Sequence, residues 1–269
     1  DIPINTPLEP EVSPGVFALD NNGFDVGKFV VEGNGNASCV PNSTCVAGAT
    51  GNLNVPYTFI ATIGGANGNG GAVTVDVGGN IEVGWQIDTR GYGDAAGGVP
   101  NTGTSGGAVN LIAGGTVTVG DQIVPSCDAG VCSTPGTLAD VLSYGIITAG
   151  YVTGSDGGVS GNSQTAGNGG NVFIQGSSIN LPAGAITVGG AAIDAAAAGA
   201  AGGKAGTVTL IATDGMNGTV TIGSPANGNV VGIVAAGGAA IDGTGGDGAA
   251  VSVSGTSISL SNILTFGGD

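Results

Sequence analysis

Histidine is absent from this 269-residue sequence, and the basic side chains number three: Lys28, Arg90 and Lys204. Without histidine no Ser–His or Cys–His nucleophile pair can be assembled, and proton transfer near neutral pH loses its usual carrier. Nineteen acidic residues bring the net charge to −16. Nucleic acid and anionic lipid would both be repelled, so neither is expected as a partner. Aromatic residues amount to 4%, which suits a narrow core filled by aliphatic side chains. Long apolar runs are missing too. The nearest candidates, residues 185–201 and 230–241, are interrupted by Asp194 or too short for the roughly 18–20 apolar residues of a membrane helix. No membrane span is expected.

Glycine is what the chain has in abundance. Its 58 residues, with 11 prolines, make up about a quarter of the sequence, a level that without a repeat would suggest disorder. Two features oppose that. Hydrophobic residues reach 41% and mean hydropathy is +0.37, enough apolar surface to offset the entropy of ordering. The glycines also recur at a fixed interval.

Gly70-Gly71-Ala72-Val73 returns as Gly106-Gly107-Ala108-Val109, 36 residues on, and then as Gly169-Gly170-Asn171-Val172. Ala205-Gly206-Thr207-Val208 and Gly248-Ala249-Ala250-Val251 follow. The longer intervals read as the same repeat with inserted residues. Each repeat opens with a period-2 run: Val73/Val75/Val77, Val109/Leu111, Val172/Ile174, Val208/Leu210, Val251/Val253. A second run comes after it: Ile81/Val83, Val117/Val119, Ile179/Leu181, Val220/Ile222, Ile258/Leu260. Polar residues alternate with both, as in strands with one buried and one wet face. A third patch lies around Ile87, Ile147, Ile186, Ile233 and Ile263. Three short strands per repeat with glycine-rich turns describe one coil of an all-β, parallel β-helix, whose inward residues are buried only when coils stack. Antiparallel hairpins are the rival, and several Asn-Gly pairs would suit them, but a recurrent three-strand unit fits stacking better. The Ala-rich stretch 191–205 has helical propensity, opposed by Gly199, Gly202 and Gly203.

The sequence divides into three parts. Residues 1–14 carry four prolines and read as an extended arm. Residues 15–64 read as irregular strands forming a first coil, with a loop between Cys39 and Cys45. Residues 65–269 hold the repeats, with an insertion bearing Cys127 and Cys132. Four cysteines allow three connectivities. Two local pairs, Cys39–Cys45 and Cys127–Cys132, are the favoured reading because each pair sits in its own turn-rich loop. That places the chain in an oxidising compartment. A four-thiolate zinc site is the alternative. Asp1 opens the sequence without methionine, which reads as the product of signal-peptide removal and an extracellular or cell-surface location.

The stretches GGAVNLIAGGTVTVG, GGNVFIQGSSINLPAGAITVGG and AGTVTLIATDG resemble the glycine-rich repeats of large bacterial surface and secreted proteins, the filamentous-haemagglutinin type of adhesin among them. The resemblance covers about residues 65–266. It implies a right-handed parallel β-helix that is exported and works in adhesion, matrix or fibre formation.

Chemistry is sparse. Lyases on this fold need clustered carboxylates and a basic residue, whereas Asp76, Glu82, Asp88 and Asp94 fall singly at outward or loop positions and read as a solvated face. No catalytic residue, cofactor or metal site is expected, and the chain does not read as an enzyme. Asp94, Asp156, Asp242 and Asp247 stand beside glycines and are candidate calcium ligands, with turn formation the favoured explanation. Asn36, Asn42 and Asn217 match the N-glycosylation acceptor triplet. The outward row with Thr118 and Thr221 suggests an ice-binding array, which Glu82, Asn180 and Ser259 interrupt. The expectation that emerges is an extracellular structural protein that assembles head to tail with copies of itself through uncapped ends. The alternative is a monomeric adhesin or module binding surface glycans.

Overall fold

A computed structural model describes residues 51–55, 59–64, 68–84, 86–91, 103–120, 145–150, 166–182, 185–190, 201–223, 232–240 and 243–269. Six short strand segments outside these are described by backbone alone: 2–3, 16–18, 29–32, 45–46, 127–128 and 131–132. Among the described residues every regular element is a β-strand, and nearly all pair in parallel. Three seven-stranded sheets result.

Sheet A runs Ile2–Pro3, Leu53–Val55, Ile81–Val83, Val117–Val119, Ile179–Leu181, Thr219–Ile222, Ser257–Leu260. Sheet B runs Val16–Ala18, Phe59–Ala61, Gln86–Asp88, Gly145–Ile147, Ala185–Thr187, Ile233–Val234, Ile263–Leu264. Sheet C runs Cys45–Val46, Phe29–Glu32, Val73–Val77, Val109–Ala113, Val172–Gly176, Val208–Ala212, Val251–Ser254. The chain passes C, A, B in each of the last five coils, so each strand pairs with its counterpart one repeat earlier and one later. This is a three-sheeted parallel β-helix.

The register never slips. In sheet A, Ile2, Leu53, Ile81, Val117, Ile179, Val220 and Ile258 share one row. In sheet B the row is Phe17, Ile60, Ile87, Ile146, Ile186, Ile233, Ile263. In sheet C it is Cys45, Val31, Val75, Leu111, Ile174, Leu210, Val253. From Leu53, Ile60 and Val75 onward, the side chains of these rows are buried up to the penultimate coil. A one-residue slip would turn a whole strand's apolar set toward water, which pins the pairing. Ile146, not Ile147, takes the inward place in sheet B, while Ile147 pairs with Asp88. The sequence reading was one residue off there because Gly145-Ile146-Ile147 shows no alternation.

The corners explain the glycines. Gly120 and Gly223 end sheet A strands with φ of 74° and 70°, a left-handed turn that a side chain would strain. At the corner from sheet B to sheet C the chain leaves on one leg and returns on another. Gly71, Gly107 and Gly170 N–H groups donate to the carbonyls of Thr62, Thr89 and Thr148, each at 2.7 Å. Those buried threonine hydroxyls donate back to the same glycines' carbonyls at 2.6, 2.7 and 2.7 Å. Val188–Gly206 and Ala235–Ala249 keep the backbone bond alone. The legs pack backbone on backbone: a Cβ at Gly150 would run into the Gly167 carbonyl, and one at Gly190 into that of Gly203.

Ile2–Pro3 of the proposed arm is an edge strand on the chain's own sheet A. The sheets also run without a break from the 15–64 segment into the repeats. Of the Ala-rich stretch, residues 201–205 form an extended returning leg, and residues 191–200 lie outside the described residues.

Candidate functional site: the open end of the helix

The last coil comprises Val251–Ser254, Ser257–Leu260 and Ile263–Leu264. Its alternation matches that of its predecessors, so the same physics folds it, and each strand pairs on one side only. Ile258 is 46% exposed and Ile263 44%, where Val220 and Ile233 one coil below are fully buried. Leu264 and Phe266 add exposed apolar surface beside them. Between Gly248 and Gly268 the sequence holds no charged residue. Sheet edges are ordinarily blunted by lysine, proline or inward charge, and this one carries none.

Side-chain spines along the helix give the end a direction. Asn69 Oδ1 accepts the Ser105 N–H at 2.8 Å, and Asn168 Oδ1 accepts that of Lys204 at 2.8 Å, each 36 residues on. Asn80 accepts from Thr116 in the same way at 2.8 Å. In these bonds a side-chain oxygen of one coil receives the backbone N–H of the next coil toward the C-terminus. Lys204 then bridges Asp247 of the last coil at 2.9 Å, in water.

The acidic residues differ from the sequence reading at one place. Asp76 is exposed and Glu82 half-buried, but Asp88 is completely buried and its carboxylate is gripped by Arg90, Nη2 to Oδ2 at 2.7 Å and Nε at 3.0 Å. The solvated-face reading fails there because the partner is two residues along the chain, a spacing that puts both on one side of an extended backbone. The hydrogen bond that Arg90 donates to Asp88 raises the Arg90 pKa further, against the opposing effect of burial. Asp247 is engaged by Lys204, and Asp94, Asp156 and Asp242 lie outside the described residues. No group of three His, Cys, Asp or Glu side chains that could hold a metal is present among the described residues. No helix among them is long and apolar enough to cross a membrane.

Cys127 and Cys132 stand directly opposite each other on a two-stranded antiparallel ladder. Directly opposite residues have Cα atoms about 4.5–5.5 Å apart, inside the range a disulfide bridges. Cys45 opens an edge strand of sheet C, and Cys39, Asn36 and Asn42 lie outside the described residues. Asn217 occupies an exposed turn, where Asp214 Oδ1 accepts its N–H at 3.3 Å. The outward row of sheet A reads Asn54, Glu82, Thr118, Asn180, Thr221, Ser259. Its chemistry changes from rung to rung, unlike a uniform threonine array. Periodicity alone made the inward rows legible in the sequence. The Asp88–Arg90 pair was missed although its i, i+2 spacing was visible.

The described residues thus define a three-sheeted parallel β-helix whose last described coil exposes Ile258, Ile263, Leu264 and Phe266. Compared with protein-family models, curated proteins and solved structures, the chain matches none.

Proposed function

We propose that this protein is a secreted structural subunit that stacks head to tail into a filament on or outside the cell. The observation that carries this reading is the stack itself: in three parallel sheets each strand pairs in register with its counterpart in the neighbouring coil, a ladder that a further coil of like polarity would extend. A contact between the top of one copy and the bottom of the next is heterologous and continues indefinitely when it does not close. The direction of the asparagine spines favours copies of like polarity. The short spacing within each cysteine pair supports disulfides and an oxidising environment.

Electron microscopy and sedimentation of the purified chain test the proposal. Filaments are expected from the native protein, and a double substitution Ile258→Lys/Ile263→Lys should abolish them while leaving the β-rich circular dichroism unchanged. A native protein that sediments only as a single 25.1 kDa species at high concentration would sink the filament reading and favour a monomeric glycan-binding adhesin.

A further inference from the structure

An Asn-Gly step is chemically labile in water, because glycine has no Cβ to keep its nitrogen from swinging toward the asparagine side chain. Once that nitrogen loses its proton it attacks the asparagine Cγ. The bond from Cγ to the side-chain nitrogen breaks, ammonia leaves, and a succinimide ring remains. Water then opens the ring at either carbonyl, giving aspartate or isoaspartate. Three such steps lie wholly within the described residues: Asn69-Gly70, Asn168-Gly169 and Asn217-Gly218. All three asparagines are exposed, so access to water does not separate them. Their hydrogen bonds do.

Asn69 and Asn168 each hold the next coil at two points. Asn69 Oδ1 accepts the Ser105 N–H at 2.8 Å, while the Gly70 N–H donates to the Ser105 carbonyl at 2.8 Å. Asn168 Oδ1 accepts the Lys204 N–H and the Gly169 N–H donates to the Lys204 carbonyl, both at 2.8 Å. The reacting carbon and nitrogen are thus tied to one residue of the neighbouring coil, and both bonds must break before they meet. Asn217 sits instead in the turn between Val208–Ala212 and Thr219–Ile222. Its side-chain amide has no hydrogen-bond partner among the described residues. The Gly218 N–H donates to the Asp214 carbonyl at 2.6 Å, a bond closed within a turn whose Met216 is 85% exposed. Breaking that bond parts no two coils, and exposed turns open at the lowest cost in a fold. We infer that Asn217 is a site of spontaneous deamidation in the folded protein, and that the clamp between coils protects Asn69 and Asn168 from the same reaction. The product carries one more negative charge at an exposed turn and leaves the inward rows untouched. The reaction needs no second copy of the chain.

Ageing the native protein in warm, mildly alkaline buffer, with peptides mapped by mass spectrometry at intervals, tests this. The peptide holding Asn217 should gain the one mass unit of an NH₂-to-OH exchange, and enzymatic methylation should detect isoaspartate in it. The peptides holding Asn69 and Asn168 should change at least about tenfold more slowly. In urea all three should react at similar rates, since each has the same Asn-Gly bond and no coil to clamp it. Asn217→Gln should remove the native-state change and leave the β-rich circular dichroism as it was. Equal rates at all three sites in the folded protein overturn the protection, as does slow reaction of Asn69 and Asn168 in urea, which would assign the difference to local sequence. An Asn217 that stays intact in the aged, folded protein, or that carries a sugar at its acceptor triplet, overturns the site.

Discussion

Truncating the same row at two heights separates a buried core position from the position proposed as an interface. Ile179 and Ile258 lie in one row of sheet A, fully buried and 46% exposed respectively. Ile→Ala removes three carbons, about 2.4 kcal/mol of transfer free energy at ~0.8 kcal/mol each when the site is fully buried. At Ile179 a closed cavity adds to this, for a total of about 3–4 kcal/mol. At Ile258 about half of the burial exists in the free chain and the space left opens to water, so about 1 kcal/mol is lost. On the proposed filament reading, the other half is gained when a neighbouring copy covers Ile258. Losing about 1.2 kcal/mol per joint should raise the critical concentration for assembly about sevenfold. Urea denaturation of dilute protein, followed by circular dichroism and by the fluorescence of the single tryptophan, measures the first quantity. Pelleting across a concentration series measures the second. Two results would refute the reasoning: equal destabilisation of the dilute chain by both variants, or an unchanged critical concentration for Ile258→Ala.

Other consequences are equally direct. Arg90→Met leaves the buried Asp88 carboxylate without its charged partner and should destabilise by about 2–4 kcal/mol; pairing it with Asp88→Leu should recover most of that, measured in the same urea assay. Gly107→Val drives its Cβ into the Gly71 carbonyl and should cost about 3 kcal/mol, whereas Gly215→Ala, with nothing within 4 Å, should change the midpoint by less than about 0.5 kcal/mol. Thr89→Val removes one buried hydroxyl but copies the arrangement at Val188, so thermal denaturation should report a loss near 1 kcal/mol. Alkylation of the unfolded chain without reductant should label none of its four cysteines, and all of them once reductant is added; labelling of an unreduced pair would remove the support for an oxidising compartment.

The strands were legible because a period of two and a repeat of 36 residues are one-dimensional signals. Val73, Val109, Val172, Val208 and Val251 recur at the same place in each repeat, and stacking the repeats buries them in one continuous row. Gly145-Ile146-Ile147 escaped this logic, since two adjacent isoleucines do not say which faces inward. Sheet pairing decided it, placing Ile146 between Ile87 and Ile186.

What the amino-acid order determined by itself was the architecture and its three strands per coil, because residue type and spacing carry those. Tertiary structure decided what depends on neighbours brought from elsewhere in the chain. It turned the glycine tracts into legs packed backbone on backbone, and Asp88 from a surface acid into a buried, Arg90-bound one. It also exposed the difference between Val220 and Ile258. The two residues have similar sequence surroundings and occupy the same row, yet one is fully buried and the other 46% exposed. Burial is a property of the stack, set by which coils lie on either side of a residue and not by its local pattern.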